Sequence, residues 1–269
     1  MKTFPSLLIA FLTLIFTATA VRAADDADPF PLRKSYPTLK TMEVEELDRR
    51  FADVVVVDVR SAYEYETLHI KGAKWVPIGP PEFDEQIKAL RNENPNSPMA
   101  FYCNGHTCAK AYQEAQRASQ DGLTNLFVFD PGVFDWATAH PERAELLGKT
   151  VEPGKLISEK KFAQHLLAPE AFMQKLMNTP NPIIIDIRDA FQREGLSLFN
   201  MREHFTPLDN QALKTYTERA KAENRALFVV DATGRQVQWL QYFLEDQGVP
   251  EYYFMKGGAK AYYDIMNKR

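Results

Sequence analysis

Cys103 and Cys108 are the only cysteines in a chain of 269 residues, and both lie in one short loop, Cys103-Asn104-Gly105-His106-Thr107-Cys108. Cys103 closes an apolar run, Met99-Ala100-Phe101-Tyr102, that reads as a buried strand, and helix-like sequence resumes at Ala109. A thiol between a strand end and a helix start faces unpaired backbone N–H groups and the positive end of the helix dipole. That setting favours the thiolate, which is the nucleophilic form. The competing reading of a cysteine is a small buried hydrophobe. The polar residues after Cys103 weigh against it.

The elements that must position this loop occur twice. Val54-Val55-Val56-Val57-Asp58-Val59-Arg60 recurs as Pro182-Ile183-Ile184-Ile185-Asp186-Ile187-Arg188, a displacement of 128 positions. The run ending at Cys103 recurs as Leu227-Phe228-Val229-Val230-Asp231, again displaced by 128. Two unrelated anchors at one offset imply duplication of a unit of about a hundred residues. The runs Val54–Val57, Met99–Tyr102 and Leu126–Phe129 are continuously apolar rather than alternating. This predicts strands covered on both faces, hence a parallel sheet between helix layers. Ala111, Tyr112, Ala115 and Ala118 keep helical spacing and stop at Gly122, and Trp239, Leu240, Phe243 and Leu244 stop at Gly248. These glycines are 126 apart, so the first copy carries two extra residues between strand end and helix end. The stretch Cys103 through Lys110 is expected to hold them, giving a longer cradle than Asp231 through Gln236.

The ends of the chain suggest where it works. Lys2, the apolar stretch Leu7–Phe16 and the small residues around Val21-Arg22-Ala23 predict a secretory signal peptide over 1–23 and a periplasmic destination. That apolar stretch is shorter than the roughly 20 residues a membrane span needs. Removing it takes away Lys2 and Arg22 and no acid, so the formal net charge moves from −4 to −6. A mildly acidic chain is not expected to bind nucleic acid or to insert stably in a membrane. The predicted organisation is a signal peptide (1–23), a mobile arm (24–35), a first domain (36–147), a linker (148–155) broken by Pro153-Gly154, and a second domain (156–269).

These motifs together resemble the rhodanese family in its tandem form. The resemblance rests on Asp58-Val59-Arg60, on Glu64-Tyr65 followed by His69-Ile70-Lys71-Gly72-Ala73, on the Cys103 loop, and on Asp130-Pro131-Gly132 with Trp136. It implies an α/β fold of two domains, each a parallel β-sheet flanked by helices on both faces. It implies sulfur transfer through a persulfide on Cys103, from a donor such as thiosulfate to a thiol or cyanide acceptor, a periplasmic protein thiol among the candidates. Neither a cofactor nor a metal is called for. Asp231 stands where the second copy would need its cysteine, so that copy resembles a non-catalytic domain. The longer Cys103 loop resembles that of rhodanese-fold phosphatases, but Cys108-Ala109-Lys110 lacks the arginine that clamps phosphate.

Asn104, Gly105, His106, Thr107, Cys108 and Lys110 form the expected cradle. Lys110 either attracts an anionic donor or is a solvated first-turn lysine. His106 either donates to the bound sulfur or caps the loop, the second being preferred. Arg60 follows a strand end on the side where open α/β sheets bind ligands. It either contacts substrate or, preferably, pairs with Asp58 or another acid. His69 is predicted to be a turn residue. Cys108 is a resolving thiol, a disulfide partner if the Cα atoms lie within about 7 Å, or a loop residue without chemistry. The alternative function is a redox protein cycling a Cys103–Cys108 disulfide, or a binding module in which catalysis is vestigial. A zinc site on Cys103, His106 and Cys108 lacks a fourth ligand.

Overall fold

The computed structural model describes residues 28–79, 82–193 and 197–268. The predicted signal peptide lies outside them. The strands in chain order are β1 (Lys40–Thr41), β2 (Val55–Asp58), β3 (Leu68–Ile70), β4 (Lys74–Trp75), β5 (Met99–Tyr102), β6 (Leu126–Phe129), β7 (Ala144–Leu146), β8 (Lys149–Thr150), β9 (Leu166–Leu167), β10 (Ile183–Asp186), β11 (His204–Phe205), β12 (Leu227–Val230) and β13 (Tyr252–Met255). Two five-stranded sheets result, ordered β1-β6-β5-β2-β4 and β9-β13-β12-β10-β11. Every pairing within them is parallel. Read from their first strands, the two orders are the same.

The apolar runs become central strands because each face meets its own layer of side chains. Val56, Ala100, Tyr102 and Phe129 enter one cluster, with Leu47, Val133 and Trp136. Their neighbours Val57, Phe101 and Val128 enter another, with Ile87, Tyr112 and Ala115. The second sheet divides likewise, Ile183 and Ile185 on one face and Ile184 on the other. The fold is thus α/β, with parallel sheets between helices.

Three expectations change. His69 is not a turn residue: it lies in β3, which pairs antiparallel with β7, and the chain reverses after it at Lys71-Gly72. The linker expected at 148–155 begins inside a hairpin, because β8 pairs back on β7 and Val151 is buried against the first core. The described part of the expected mobile arm, 28–35, is pinned. It contains a 3-10 turn, Pro31–Ser35, whose Arg33 donates from Nε and Nη2 to the two oxygens of Asp130 at 2.8 Å each. Leu32 packs against the first domain's core.

The halves also share side chains. Trp239 and Tyr242 of the second belong to a cluster whose other buried members all come before residue 152, with Leu156, Ile157 and Leu208 packed against it. The Trp239 ring stacks on Phe134 at 5.2 Å between centroids. Tyr63 donates its hydroxyl to Asn210 Oδ1 at 2.7 Å.

Candidate active site

Cys103 follows β5 directly, and the helix Lys110–Gln120 starts seven positions later. That helix buries Ala111, Tyr112, Ala115 and Ala118 along one side, as their spacing predicted, and ends where Gly122 takes a left-handed conformation. Between strand and helix the loop turns on itself, Cys108 N–H donating to Gly105 O at 2.9 Å. The turn returns the sixth residue to the first, and Cys103 and Cys108 are joined by a disulfide with Cα atoms 6.2 Å apart. In this state both sulfurs are oxidised, so the free Cys103 thiolate expected from sequence belongs to the reduced loop. Cys103 is buried (2 % exposed), whereas Cys108 is half-buried and lines the open space above the loop.

The loop is held from below by a glycine. Gly132 has φ +71°, and a Cβ there would lie 2.5 Å from the Gly105 nitrogen and 2.6 Å from the Asn104 carbonyl carbon. The close approach needs a residue without a side chain. It lets Val133 N–H donate to Cys103 O at 3.0 Å. His106 Nε2 meets Asp135 Oδ2 at 2.8 Å, which ties the loop to the helix Gly132–Ala139. Phe30 of the docked arm packs at a tilt against the His106 ring, centroids 4.3 Å apart. Thr107 is the exposed tip of the loop.

Arg60 points into the protein and does not line the cleft. It is fully buried, donating from Nε and Nη2 to Asp58 at 2.9 and 2.6 Å and from Nη2 to Leu68 O at 2.6 Å. Its Nη1 donates to Asn104 Oδ1 at 3.3 Å, so Arg60 buttresses the cradle from behind. The guanidinium lies 5.3 Å from the ring centroids of Tyr102 and of Trp239, the latter from the second half. Two charges removed from water this completely need each other and their remaining hydrogen bonds.

Glu64 is a site residue to which sequence reasoning gave no chemical role. Ser61 and Glu64 form a reciprocal capping box at the start of the helix Ala62–Thr67. The same carboxylate accepts from Asn104 Nδ2 at 2.9 Å and faces Lys110 Nζ at 3.5 Å. Burial alone would push its pKa up, but Lys110 and the hydrogen bonds from Asn104 and Ser61 outweigh this and hold it below the ordinary value. The spacing Ser61-x-x-Glu64 was the readable signal. Lys110 lines the cleft with Glu64 facing its Nζ. Asp135 had no local signal in the sequence.

The second sheet supplies an internal comparison. Asp231 follows β12, and the helix Val237–Asp246 starts six positions later. The two helices have 11 and 10 residues, so one of the two extra residues lies in the Cys103 loop and the other in its helix. Asp231 is buried, and its carboxylate accepts N–H bonds from Gly234 at 2.5 Å and Gln236 at 2.8 Å. Burial pushes its carboxyl pKa up, against the pull of these N–H groups. Loop amides therefore converge on the side chain at this position, as a cradle for an anion requires.

The Cys103 and Asp231 loops face one cleft of about 1200 Å³, walled also by Phe134, Lys110, Arg235 and Trp239. Small-molecule sites run to about 300–1,000 Å³, so the cleft admits more than a small anion. Cys103, His106 and Cys108 do not form a metal-ligand set. The two sulfurs are bonded to each other, and His106 is bonded to Asp135.

The rhodanese-like domain family matches residues 43–139, the segment that carries β2, Arg60, the Cys103 loop and Gly132. The thiosulfate:glutathione sulfurtransferase of Saccharomyces cerevisiae is 30% identical over 104 residues, covering 35% of this chain and 72% of the yeast protein. An uncharacterized protein of Bacillus subtilis, YqhL, is 27% identical over 99 residues, covering 36% of this chain and 72% of its own length. Among solved structures, a thiosulfate sulfurtransferase from Pseudomonas aeruginosa aligns at a TM-score of 0.40 with 18% identity. That alignment covers 85% of this chain and 43% of the Pseudomonas chain. With the strand–cysteine–helix geometry in place, the match over 43–139 and the yeast relative give one answer: this chain belongs to the rhodanese-like sulfurtransferase family.

Proposed function

We propose that the protein is an exported sulfurtransferase, built from two rhodanese-like copies, in which Cys103 alone carries the sulfur. The observation that carries this reading is the place of Cys103. It stands at the carboxyl end of the middle strand of a parallel sheet, at the start of a loop that faces the cleft and runs into a helix N-terminus. Asp231 supports it from the second copy, where the equivalent loop amides gather on the side chain.

The reaction begins from the reduced loop. The Cys103 thiolate attacks the outer sulfur of thiosulfate, the sulfur–sulfur bond of the donor breaks, and sulfite leaves with the electron pair. The product is a Cys103 persulfide anion, stabilised by loop N–H groups and by the N-terminus of the helix Lys110–Gln120. An acceptor thiolate then takes the outer sulfur and returns Cys103 as a thiolate. Dividing the transfer at a covalent intermediate replaces one difficult step with two easier ones. The yeast relative is named for thiosulfate and glutathione, and the cleft has room for a thiol of peptide size. The second copy walls the cleft through Trp239 and Arg235 but carries no sulfur.

Intact-mass measurement of the reduced protein after exposure to thiosulfate tests this. One added sulfur on the Cys103 peptide, measured in Cys108→Ser where Cys103 is the sole thiol and absent in Cys103→Ser, is the expected result. No adduct, together with no thiocyanate formation when cyanide is supplied, would sink it. Export is tested by fractionating cells that express the full chain, the mature protein being expected in the periplasmic fraction without residues 1–23.

A second reading has its own observation, the Cys103–Cys108 disulfide. A protein working by dithiol–disulfide exchange alone would need both cysteines and would take up no sulfur from thiosulfate. Exported proteins meet oxidising conditions in which such a bond persists.

A further inference from the structure

We infer that Cys108 is a resolving thiol: it discharges the Cys103 persulfide by expelling its outer sulfur as hydrosulfide, and the disulfide in the structure is the product of that step. The inference rests on the proposed role of Cys103 as sulfur carrier.

Three observations lead to it. First, the bond exists within a regular loop. The turn from Gly105 O to Cys108 N–H and the 6.2 Å separation of the Cα atoms place Cys108 Sγ at bonding distance from Cys103 Sγ. Disulfides need Cα atoms about 4.4–6.8 Å apart, so the loop is already shaped for the pair. In a Cys103 persulfide that same Cys103 Sγ is the inner sulfur. Second, the loop is fixed from several sides, by Gly132 beneath it, by Asp135 on His106 and by Arg60 and Glu64 on Asn104. A fixed loop keeps the second thiol near the first, and such placement is worth effective molarities of about 10⁵–10⁸ M in well-oriented cases. Third, the two sulfurs differ in access. Cys103 is buried, while Cys108 lines the cleft.

The step balances. The Cys108 thiol loses its proton and attacks Cys103 Sγ. The persulfide sulfur–sulfur bond breaks and the Cys103–Cys108 bond forms. The outer sulfur leaves with the electron pair and takes the proton, as HS⁻. The sulfane sulfur gains two electrons and the cysteine pair loses two. Return to the dithiol needs an external dithiol reductant. Its thiolate enters through the cleft, meets Cys108 first, and displaces Cys103 as the thiolate. Each turn therefore releases one sulfide and consumes one dithiol. The same protein yields transferred sulfur when an acceptor occupies the cleft and sulfide when none does.

The full mature chain tests this. Wild type and Cys108→Ser are reduced, freed of reductant, and given thiosulfate without an acceptor. Protein mass and released sulfide are then followed, the latter by trapping with monobromobimane. In Cys108→Ser the sulfur adduct on Cys103 should persist with little sulfide formed. In wild type the adduct should decay at least about a hundredfold faster. One sulfide should appear per protein, and the mass should settle at that of the disulfide. Adding dithiothreitol should restore the capacity for a second round. Equal adduct lifetimes in the two proteins, with no sulfide from wild type, would overturn the inference and leave Cys103 as carrier. Absence of any adduct in Cys108→Ser would overturn the carrier reading itself, and this inference with it. Cys103→Ser should release no sulfide, and sulfide from that variant would also overturn it.

Discussion

Asp231 stands in the second sheet where Cys103 stands in the first. Each follows the central strand, and each offers its carbonyl to the N–H of a residue just after a left-handed glycine. Val133 N–H reaches Cys103 O at 3.0 Å and Ala259 N–H reaches Asp231 O at 2.8 Å. The difference is in the side chains. The Asp231 carboxylate gathers the N–H groups of its own loop, whereas Cys103 is bonded to a residue of its loop. Replacing Asp231 with alanine removes an acceptor from two N–H groups and should cost about 1–3 kcal/mol of stability. Urea unfolding of Asp231→Ala checks it. Sulfur loading of Cys103 in the same variant should stay near wild type, since Asp231 carries no sulfur.

Arg60 and Asp58 are both fully buried. Arg60→Met leaves the Asp58 carboxylate uncompensated and frees the Asn104 side chain on one side. Breaking a buried pair in this way costs about 3–5 kcal/mol. The double variant Asp58→Asn with Arg60→Met should recover part of that loss. A double variant less stable than Arg60→Met would show that the pair itself is not what is being measured.

Glu64 gives a pH dependence with a defined sign. Its pKa in the folded protein lies below the value of 4.5 it has when unperturbed. Its contribution is therefore fully present above 4.5 and is lost as the pH falls through the depressed folded value. The stability gap between wild type and Glu64→Gln should be widest near neutral pH and should close on acidification. Denaturation series across that range measure it, and a gap that grows in acid contradicts the assignment.

Trp239 joins the two halves. It is 3 % exposed, stacks on Phe134 and covers the Arg60 guanidinium. Trp239→Ala should cost about 3–5 kcal/mol, as large-to-small changes at buried aromatics do. Because Trp239 also walls the cleft, sulfur transfer to a peptide thiol should fall more than loading of Cys103 by thiosulfate. Equal losses in the two half-reactions would mean that Trp239 only stabilises the fold.

The sequence by itself determined much of this. The runs at 99–102 and 126–129 were legible as buried strands because both faces of a parallel strand are covered, which leaves no polar alternation to read. The offset of 128 exposed the second sheet, and Asp58 with Arg60 was readable as a pair two residues apart. The placement of Cys103 between strand and helix was local and therefore visible.

Only the tertiary structure decided the rest, and the reason is distance along the chain. Arg33 meets Asp130 across 97 positions, so residues 28–35 looked free when they are docked. β3 exists because β7 pairs with it more than seventy residues later, so His69 read as part of a turn. Trp239 covers Arg60 from the other half, and no pattern in either segment announces it. The state of the two cysteines is the sharpest case. Their spacing permitted a thiolate, a bond or neither. The turn at Gly105, the support of Gly132 and the resulting approach of the two Cα atoms selected the bond.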